Sequence, residues 1–279
     1  VPELPEVETL RRSLEPHLVG AKIVRARLIR PDICRALDGE GNELTSTPKL
    51  LLAGSTIERI SRRGKQMAII STDGRVLVVQ LGMSGQMLLS AGHAVPKELT
   101  HVHAVWTLPS GILMFRDPRR FGGLTASPSV AALENTHWKN LGADALDITD
   151  EQLRQAAAPS SRAIKAALLD QSIVAGVGNI YADELLFLAG VTPLRAADSL
   201  ERHDWVRIGA AMRSVLQAAV DARGSSIRDY VDAAGLGGTA TLLHRVYGRG
   251  GEPCLTCKRE LIKATIAQRT TVWCSFCQS

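Results

Sequence analysis

Cys254-Leu-Thr-Cys257 and Cys274-Ser-Phe-Cys277 are two C-x-x-C knuckles separated by sixteen residues. This spacing matches a four-thiolate zinc site, in which each knuckle supplies two ligands from one tight turn and the pair completes a tetrahedron. A closed four-cysteine site is structural, so Cys254, Cys257, Cys274 and Cys277 are expected to fold a small ribbon around one Zn2+ ion. Lys258, Arg259, Lys263, Gln268 and Arg269 lie between the knuckles and give the ribbon a cationic face. A disulfide framework is the alternative. The odd fifth cysteine, Cys34, and an opening with no charged-then-apolar leader argue against it and lead to the expectation of a reducing cytoplasm.

The chain has 279 residues, room for two domains and a small module, and 45% of them are hydrophobic. Its apolar runs, such as residues 76–79 and 112–115, are far too short for a membrane span. The net charge of +5 is modest but clustered, at Arg62-Arg63-Gly-Lys65, at Arg116 with Arg119-Arg120, and in the ribbon. Cationic clusters beside a zinc ribbon point to a polyanion, most simply nucleic acid. Each cluster alone would read as a solvated face.

Upstream of the ribbon, residues 224–249 are glycine-rich and polar. Residues 149–222 read as helices, with caps expected at Thr149, Ser161 and Asn179 and a long helix over 202–222. Residues 126–148 lack periodicity and read as a linker. From 21 to 125 the pattern is of short strands (23–24, 57–60, 67–70, 76–81, 87–89, 102–108, 112–115) punctuated by Gly, Pro, Asp and Ser, which suggests a β-sandwich or barrel. Residues 3–15 carry Leu4, Val7, Leu10 and Leu14 at helical spacing, with Pro5 in the first turn and Pro16 closing the segment. The expected architecture is α+β and multidomain: 2–125 an N-terminal helix with a β-sandwich, 126–148 a linker, 149–243 a helical domain and 244–279 the ribbon. No coiled-coil pattern appears, and a monomer is expected.

Several groups could do chemistry. Pro2, if terminal, carries a secondary amine able to attack an electrophilic carbon and form an iminium, with Glu3 beside it to move protons. The plainer reading is that both open a helix. Arg119 and Arg120 suit phosphates or base edges. Phe121, before Gly122-Gly123, could be a wedge between bases or could fold back into the sandwich. Met83, in Leu81-Gly-Met-Ser-Gly85, is a similar apolar tip. The glycine turn before Asn179 suits an anion at a helix N-terminus. Glu184 shares a face with Ile180, Phe187 and Leu188, where a carboxylate needs a partner. Lys65 is a further candidate cation.

Together these stretches resemble the bacterial formamidopyrimidine-DNA glycosylase family. The matching segments are Pro2-Glu-Leu-Pro-Glu-Val-Glu, Arg62-Arg-Gly-Lys65, Leu81-Gly-Met-Ser-Gly85, Asp117-Pro-Arg-Arg-Phe-Gly122, Gly176-Val-Gly-Asn-Ile-Tyr181, Val246-Tyr-Gly-Arg249, Gly251-Glu-Pro-Cys254 and Ala267-Gln-Arg269, in the family's order along the whole chain. The resemblance implies a helix–two-turn–helix domain between sandwich and zinc ribbon. It implies a monomeric, bifunctional glycosylase and abasic-site lyase acting on duplex DNA that contains oxidised purines, with no obligate protein partner. Pro2 would attack C1′, Glu3 would protonate the opening sugar ring, and β,δ-elimination would cut the strand. Lys65 and Arg269 would complete the catalytic set. Asn179 and Arg269 would pin the DNA backbone. Met83, Arg119 and Phe121 would fill the gap left by the everted nucleotide. Lys165 and Tyr247 would contact phosphate, His101 and Arg120 would join the DNA-binding set, and Glu6 and Glu184 would lie near the lesion pocket.

Three features depart from the family pattern. Val1 precedes the proline, which fits a GTG start codon written as valine and trimmed from the mature protein. Gln80 stands where a histidine is usual. The loop Gly235-Leu-Gly-Gly-Thr-Ala-Thr241 lacks the Pro-Gly-Tyr-Phe-like run of many members, which leaves the lesion preference open. Two other readings stay in play: the sister glycosylase for oxidised pyrimidines, and a non-catalytic zinc protein that binds lesions if Val1 is retained.

Overall fold

The computed structural model describes residues 2–45, 49–227 and 230–279, so Val1 lies outside the described residues. The chain divides into two compact units: residues 1–139 with 223–239, and residues 140–222 with 240–279.

The first unit opens with helix α1, Leu4–Leu18. Leu4, Val7, Leu10, Leu14 and Leu18 form its apolar stripe, and all are buried. The helix runs two residues past Pro16. A proline in the last turn forfeits only its own N–H bond, and Val19 N–H still reaches Glu15 C=O at 3.1 Å. The strands follow as β1 Arg25–Leu28, β2 Cys34–Leu37, β3 Glu43–Leu44, β4 Ile57–Arg63, β5 Gln66–Ser71, β6 Val76–Gln80, β7 Gln86–Ser90, β8 Val102–Leu108, β9 Gly111–Arg116 and β10 Gly123–Ser127, and helix α2 spans Val130–Asn135.

They form two sheets, β1-β8-β9-β7 and β3-β2-β10-β6-β5-β4. Inward residues of both sheets (Ile69, Leu77, Val79 and Leu124 from one; Ala104, Trp106, Leu113 and Phe115 from the other) join Leu10, Leu14 and Leu18 of α1 in a single core. Among the described residues of these two sheets, only β2 and β10 pair in parallel. Strand β10 and helix α2 occupy part of the stretch expected to be a linker. Gly123 opens β10 and carries no β signal, and α2 is only six residues long with a Ser129 cap, too short to show a period. Residues 223–239, expected to continue the helical segment, pack within the first unit. There Ala233 donates its N–H to Ser13 Oγ and accepts from Leu89 N–H.

The second unit contains β11 Ala143–Asp144, α3 Asp150–Ala157, α4 Ile164–Leu169, β12 Val174–Ala175, α5 Asn179–Ala189, α6 Arg202–Asp221, β13 Ile262–Ile266 and β14 Arg269–Trp273. Thr149 caps α3 in a capping box with Gln152, as its spacing predicts. The other expected caps shift by one or two residues. Ala163 precedes α4, and Gly178 precedes α5 with Asn179 as the first helical residue. Strands β13 and β14 form the ribbon hairpin. Its two-residue turn holds Ala267 at φ 47° and Gln268 at φ 59°, the left-handed pair that favours Asn-Gly, so the hairpin tip stores strain. Among the described residues no helix is long and apolar enough to cross a membrane.

Glu8 of α1 ties the helix to β4. Its carboxylate meets Arg11 at 3.0 Å, Arg12 at 2.8 Å and Arg62 at 3.1 Å. Burial alone would raise this carboxyl, but hydrogen bonds from Arg11 and Arg12 and the charges of Arg11 and Arg62 outweigh it and hold it down at about 2. A depressed carboxyl stabilises the fold above the unfolded value near 4.5, and that contribution fades as pH falls from 4.5 towards 2. Glu8→Gln should therefore cost about 2 kcal/mol at pH 7, allowing for partial solvent screening, and almost nothing near pH 2. Denaturant unfolding at the two pH values checks this, and equal stability of variant and wild type at pH 7 would contradict it.

Candidate active site and nucleic-acid interface

The start of α1 is a tightly tied carboxylate cluster. Pro2 is buried, and Glu3 and Glu6 are 3% and 1% exposed. Glu3 is the N-cap and Glu6 the third helical residue, and they form a reciprocal capping box. Glu6 Oε2 accepts the Glu3 N–H at 2.8 Å, and its other oxygen accepts the Ser225 N–H at 2.7 Å. The fit against the 223–239 segment is close. Gly224 sits at φ +78°, and a Cβ there would lie 2.9 Å from Glu6 Oε1 and 3.2 Å from Glu6 Cα. The peptide between Pro2 and Glu3 is thus fixed by a carboxylate that is itself fixed, and the helix dipole favours negative charge at this end.

Lys65 is half-buried at the tip of the β4–β5 hairpin. Gly64 precedes it at φ +56°, the first central position of a two-residue turn.

Two loops of the same unit carry Met83, Arg119, Arg120 and Phe121. They touch at the backbone, since a Cβ on Gly82 would lie 2.3 Å from the Phe121 carbonyl carbon and one on Gly122 would lie 2.6 Å from Gln80 O. Asp117, fully buried, binds them together. It accepts the Ser84 hydroxyl at one oxygen and the Gly122 N–H at the other, 2.7 Å away, while Ser84 Oγ accepts the Arg119 N–H at 3.1 Å. His103 Nε2 meets the Asp117 carbonyl at 2.8 Å and props the loop from β8. Arg119 and Arg120 are exposed and Met83 is half-buried. Phe121 is 59% exposed, which decides between its two readings in favour of an outward aromatic, and the Arg119 guanidinium lies 5.1 Å from its ring centre. Arg120 pairs with Asp32, and His101 is exposed at φ +62°. Gln80 helps line a cavity of about 480 Å³ together with Phe121, Gly122 and His137, so the departure from histidine falls beside the aromatic tip.

In the second unit, Asn179 opens α5 and Arg269 opens β14. Asn179 Nδ2 donates to the Thr270 carbonyl at 2.9 Å, next in sequence to the exposed Arg269. For Lys165 the sequence reading needs correction. Expected to contact phosphate, it is 0% exposed, paired with Asp183 at 2.6 Å and bonded to Thr271 Oγ1 at 2.7 Å. An ammonium enclosed by three acceptors cannot reach a DNA strand. Glu184, read as a lesion-pocket acid, is engaged differently: its carboxylate accepts the backbone N–H groups of Arg245, Val246 and Tyr247 at 2.7–2.9 Å. This supplies the partner its apolar face demands, and it sets the backbone of half-buried Tyr247, whose ring meets His244 edge-on.

The four knuckle cysteines bring their sulfurs within 4.8 Å of one another. The Cys254–Cys277 and Cys257–Cys274 separations are 4.0 and 3.4 Å. A tetrahedron of about 2.3 Å metal–sulfur bonds has edges of about 3.8 Å, and a disulfide needs about 2.05 Å, so the cluster fits one metal ion and no disulfide. Gln278 braces it, accepting the Cys274 N–H and donating to the Val191 carbonyl.

Sequence reasoning passed over Asp117, Ser84, Asp183 and Ser225. An acid directly before Pro118 at a strand end is a turn-forming signal that could have drawn attention to Asp117. Nothing local distinguishes the others, because their partners are 18 to 219 residues away.

Two family profiles match the chain, the formamidopyrimidine-DNA glycosylase N-terminal domain over residues 1–124 and the H2TH domain of the same enzyme over 141–231. A formamidopyrimidine-DNA glycosylase of Desulfitobacterium hafniense is 38% identical over the whole of both chains. The MutM (Fpg) protein of Thermus thermophilus shares 36% identity at a TM-score of 0.85, covering 99% of this chain and 98% of that one. Wild-type Lactococcus lactis Fpg, solved with DNA containing N7-benzyl-Fapy-dG, shares 34% at 0.87 with complete coverage of both. With two of its domain profiles in sequence along the chain and these relatives matched nearly end to end, the chain belongs to the formamidopyrimidine-DNA glycosylase family.

Proposed function

We propose that this chain excises oxidised purines, 8-oxoguanine and formamidopyrimidines, from duplex DNA and then cuts the strand at the resulting site. The observation that carries the mechanism is the buried helix start, where Pro2 and Glu3 are neighbours in sequence and the Glu3 N–H is held by Glu6. The Pro2 nitrogen attacks C1′ of the damaged nucleotide, and the C1′–N bond to the base breaks. Glu3 takes up the proton that the attacking amine loses and passes it to the ring oxygen as the sugar opens, leaving an iminium between Pro2 and C1′. The iminium acidifies the C2′ proton. Its loss expels the 3′ phosphate, a second elimination expels the 5′ phosphate, and water releases the amine. An acyl group on the Pro2 nitrogen would remove its lone pair, so this mechanism requires an enzyme whose first residue is Pro2.

Lys65, Asn179, Tyr247 and Arg269 hold phosphates, His101 and Arg120 add to the grip, and Met83, Arg119 and Phe121 enter the stack where the lesion leaves it. Clamping those three through Asp117 and Ser84 means that the wedge enters as one piece rather than as three flexible side chains. Glu6 acts at the lesion pocket by holding Glu3 and Ser225. The ion in the ribbon is zinc, structural and fully ligated, and it lets a short hairpin present Arg269. Reduced thiolates suit the cytoplasm.

Glu3→Gln should lower excision of 8-oxoguanine opposite cytosine by about 100-fold or more, the usual range for losing a general acid. Cleavage of a preformed abasic site should fall much less. Single-turnover assays check both, and wild-type excision by the variant would refute the role. Parallel assays on thymine glycol separate the purine enzyme from its pyrimidine counterpart. For the metal, native mass spectrometry should find one zinc per chain. Its removal by chelation should abolish lesion-DNA binding, because hairpin folding is coupled to thiolate ligation. Undiminished binding by the metal-free protein would contradict this.

A further inference from the structure

Lys165 and Asp183 form an ion pair with side chains 0% and 1% exposed, on elements of the second unit and outside the mechanism above. Burying two charges is rarely a gain in stability over an apolar pair, and the best-attested return is a fixed geometry. The geometry fixed here is that of three consecutive ribbon residues. Lys165 Nζ donates to the Thr270 carbonyl at 3.2 Å and to Thr271 Oγ1 at 2.7 Å, and Asp183 Oδ2 accepts the Val272 N–H at 3.1 Å. The Thr270 carbonyl is the same atom that receives Asn179 Nδ2. Asn179 and Asp183 stand one turn apart on α5, which puts both on one helix face, and Arg269 directly precedes the gripped segment.

We infer that Lys165 is a positioning residue for DNA binding: with Asp183 it sets the register between the α5 N-terminus and β14, and so the spacing between Asn179 and Arg269. The side-chain chemistry suits this task. An ammonium offers three donors from one point, and here they meet a carboxylate, a carbonyl and a hydroxyl. A guanidinium would need a wider, planar set of acceptors. The inference rests on the reading that Asn179 and Arg269 grip phosphates.

The test is a mutant cycle on the zinc-loaded full chain. Lys165→Met with Asp183→Asn removes the pair without leaving a lone buried charge, and the carbonyl oxygen of the introduced amide can still receive the Val272 N–H. Binding is measured to a duplex carrying a tetrahydrofuran abasic analogue. In the wild-type background the double change should weaken binding about 10-fold, a coupling within the range of contacting residues. In an Asn179→Ala/Arg269→Ala background it should weaken binding less than about 2-fold. Excision of 8-oxoguanine should show the loss in KM, with kcat at saturating DNA little changed. Thr271→Val leaves the ion pair intact, removes one acceptor, and should weaken binding about 3-fold with the same dependence on background. It keeps the test decisive if the double variant does not fold. Equal losses in both backgrounds, or no loss in the wild type, would overturn the inference. An Asn179→Ala/Arg269→Ala chain that binds like wild type would instead remove the phosphate-grip reading, and the inference with it.

Discussion

The Glu6 carboxylate is the interaction on which the catalytic end of the molecule depends. One oxygen holds the N–H of Glu3, the other holds the N–H of Ser225, and almost none of the side chain meets solvent. A buried carboxylate with both oxygens on backbone donors is a rigid object, because losing either bond would strand a charge in an apolar setting. It fixes the peptide that follows Pro2 and joins the first turn of α1 to a segment 219 residues later. A nucleophile at a chain terminus would otherwise fray, and an amine must be held near its target carbon to gain from proximity.

The same device recurs. Asp117 fixes the two loops that carry Met83, Arg119 and Phe121, and Glu184 fixes the backbone of residues 245–247. Asp183, with Lys165, fixes the strand behind Arg269. In each case a buried acid accepts backbone N–H groups, and the residues presented outward are mainly cationic or aromatic. At these four sites the acid faces inward, while cations such as Arg119, Arg120 and Arg269 face solvent and can meet a polyanion.

Those outward groups were the legible part of the sequence, because they come with local punctuation. The knuckle spacing announced the ribbon, and Gly122-Gly123 left Phe121 open between a wedge and a core residue until its exposure decided. Strong strand runs such as residues 67–70 and 102–108 emerged as strands, and Thr149 as a cap. Tertiary pairing stayed hidden. Strand β10 begins at a glycine and is defined by its partners β2 and β6. Residues 223–239 resemble a loop of the helical segment until the Ser225 and Ala233 bonds place them. Lys165 received its phosphate contact from the resemblance alone, because Asp183 lies on a different helix and Thr271 is 106 residues away, and only folding brings them to it.

What remains to be caught in the act is the covalent bond between a free proline nitrogen at the head of this helix and the sugar of a damaged nucleotide. The decisive measurement is borohydride reduction during turnover on 8-oxoguanine DNA, followed by peptide mass spectrometry of the trapped complex. The expected product is a single adduct, a reduced sugar remnant on a peptide that begins at Pro2. An adduct on a lysine or on Val1, or strand cutting with no adduct at all, would rule out proline as the nucleophile.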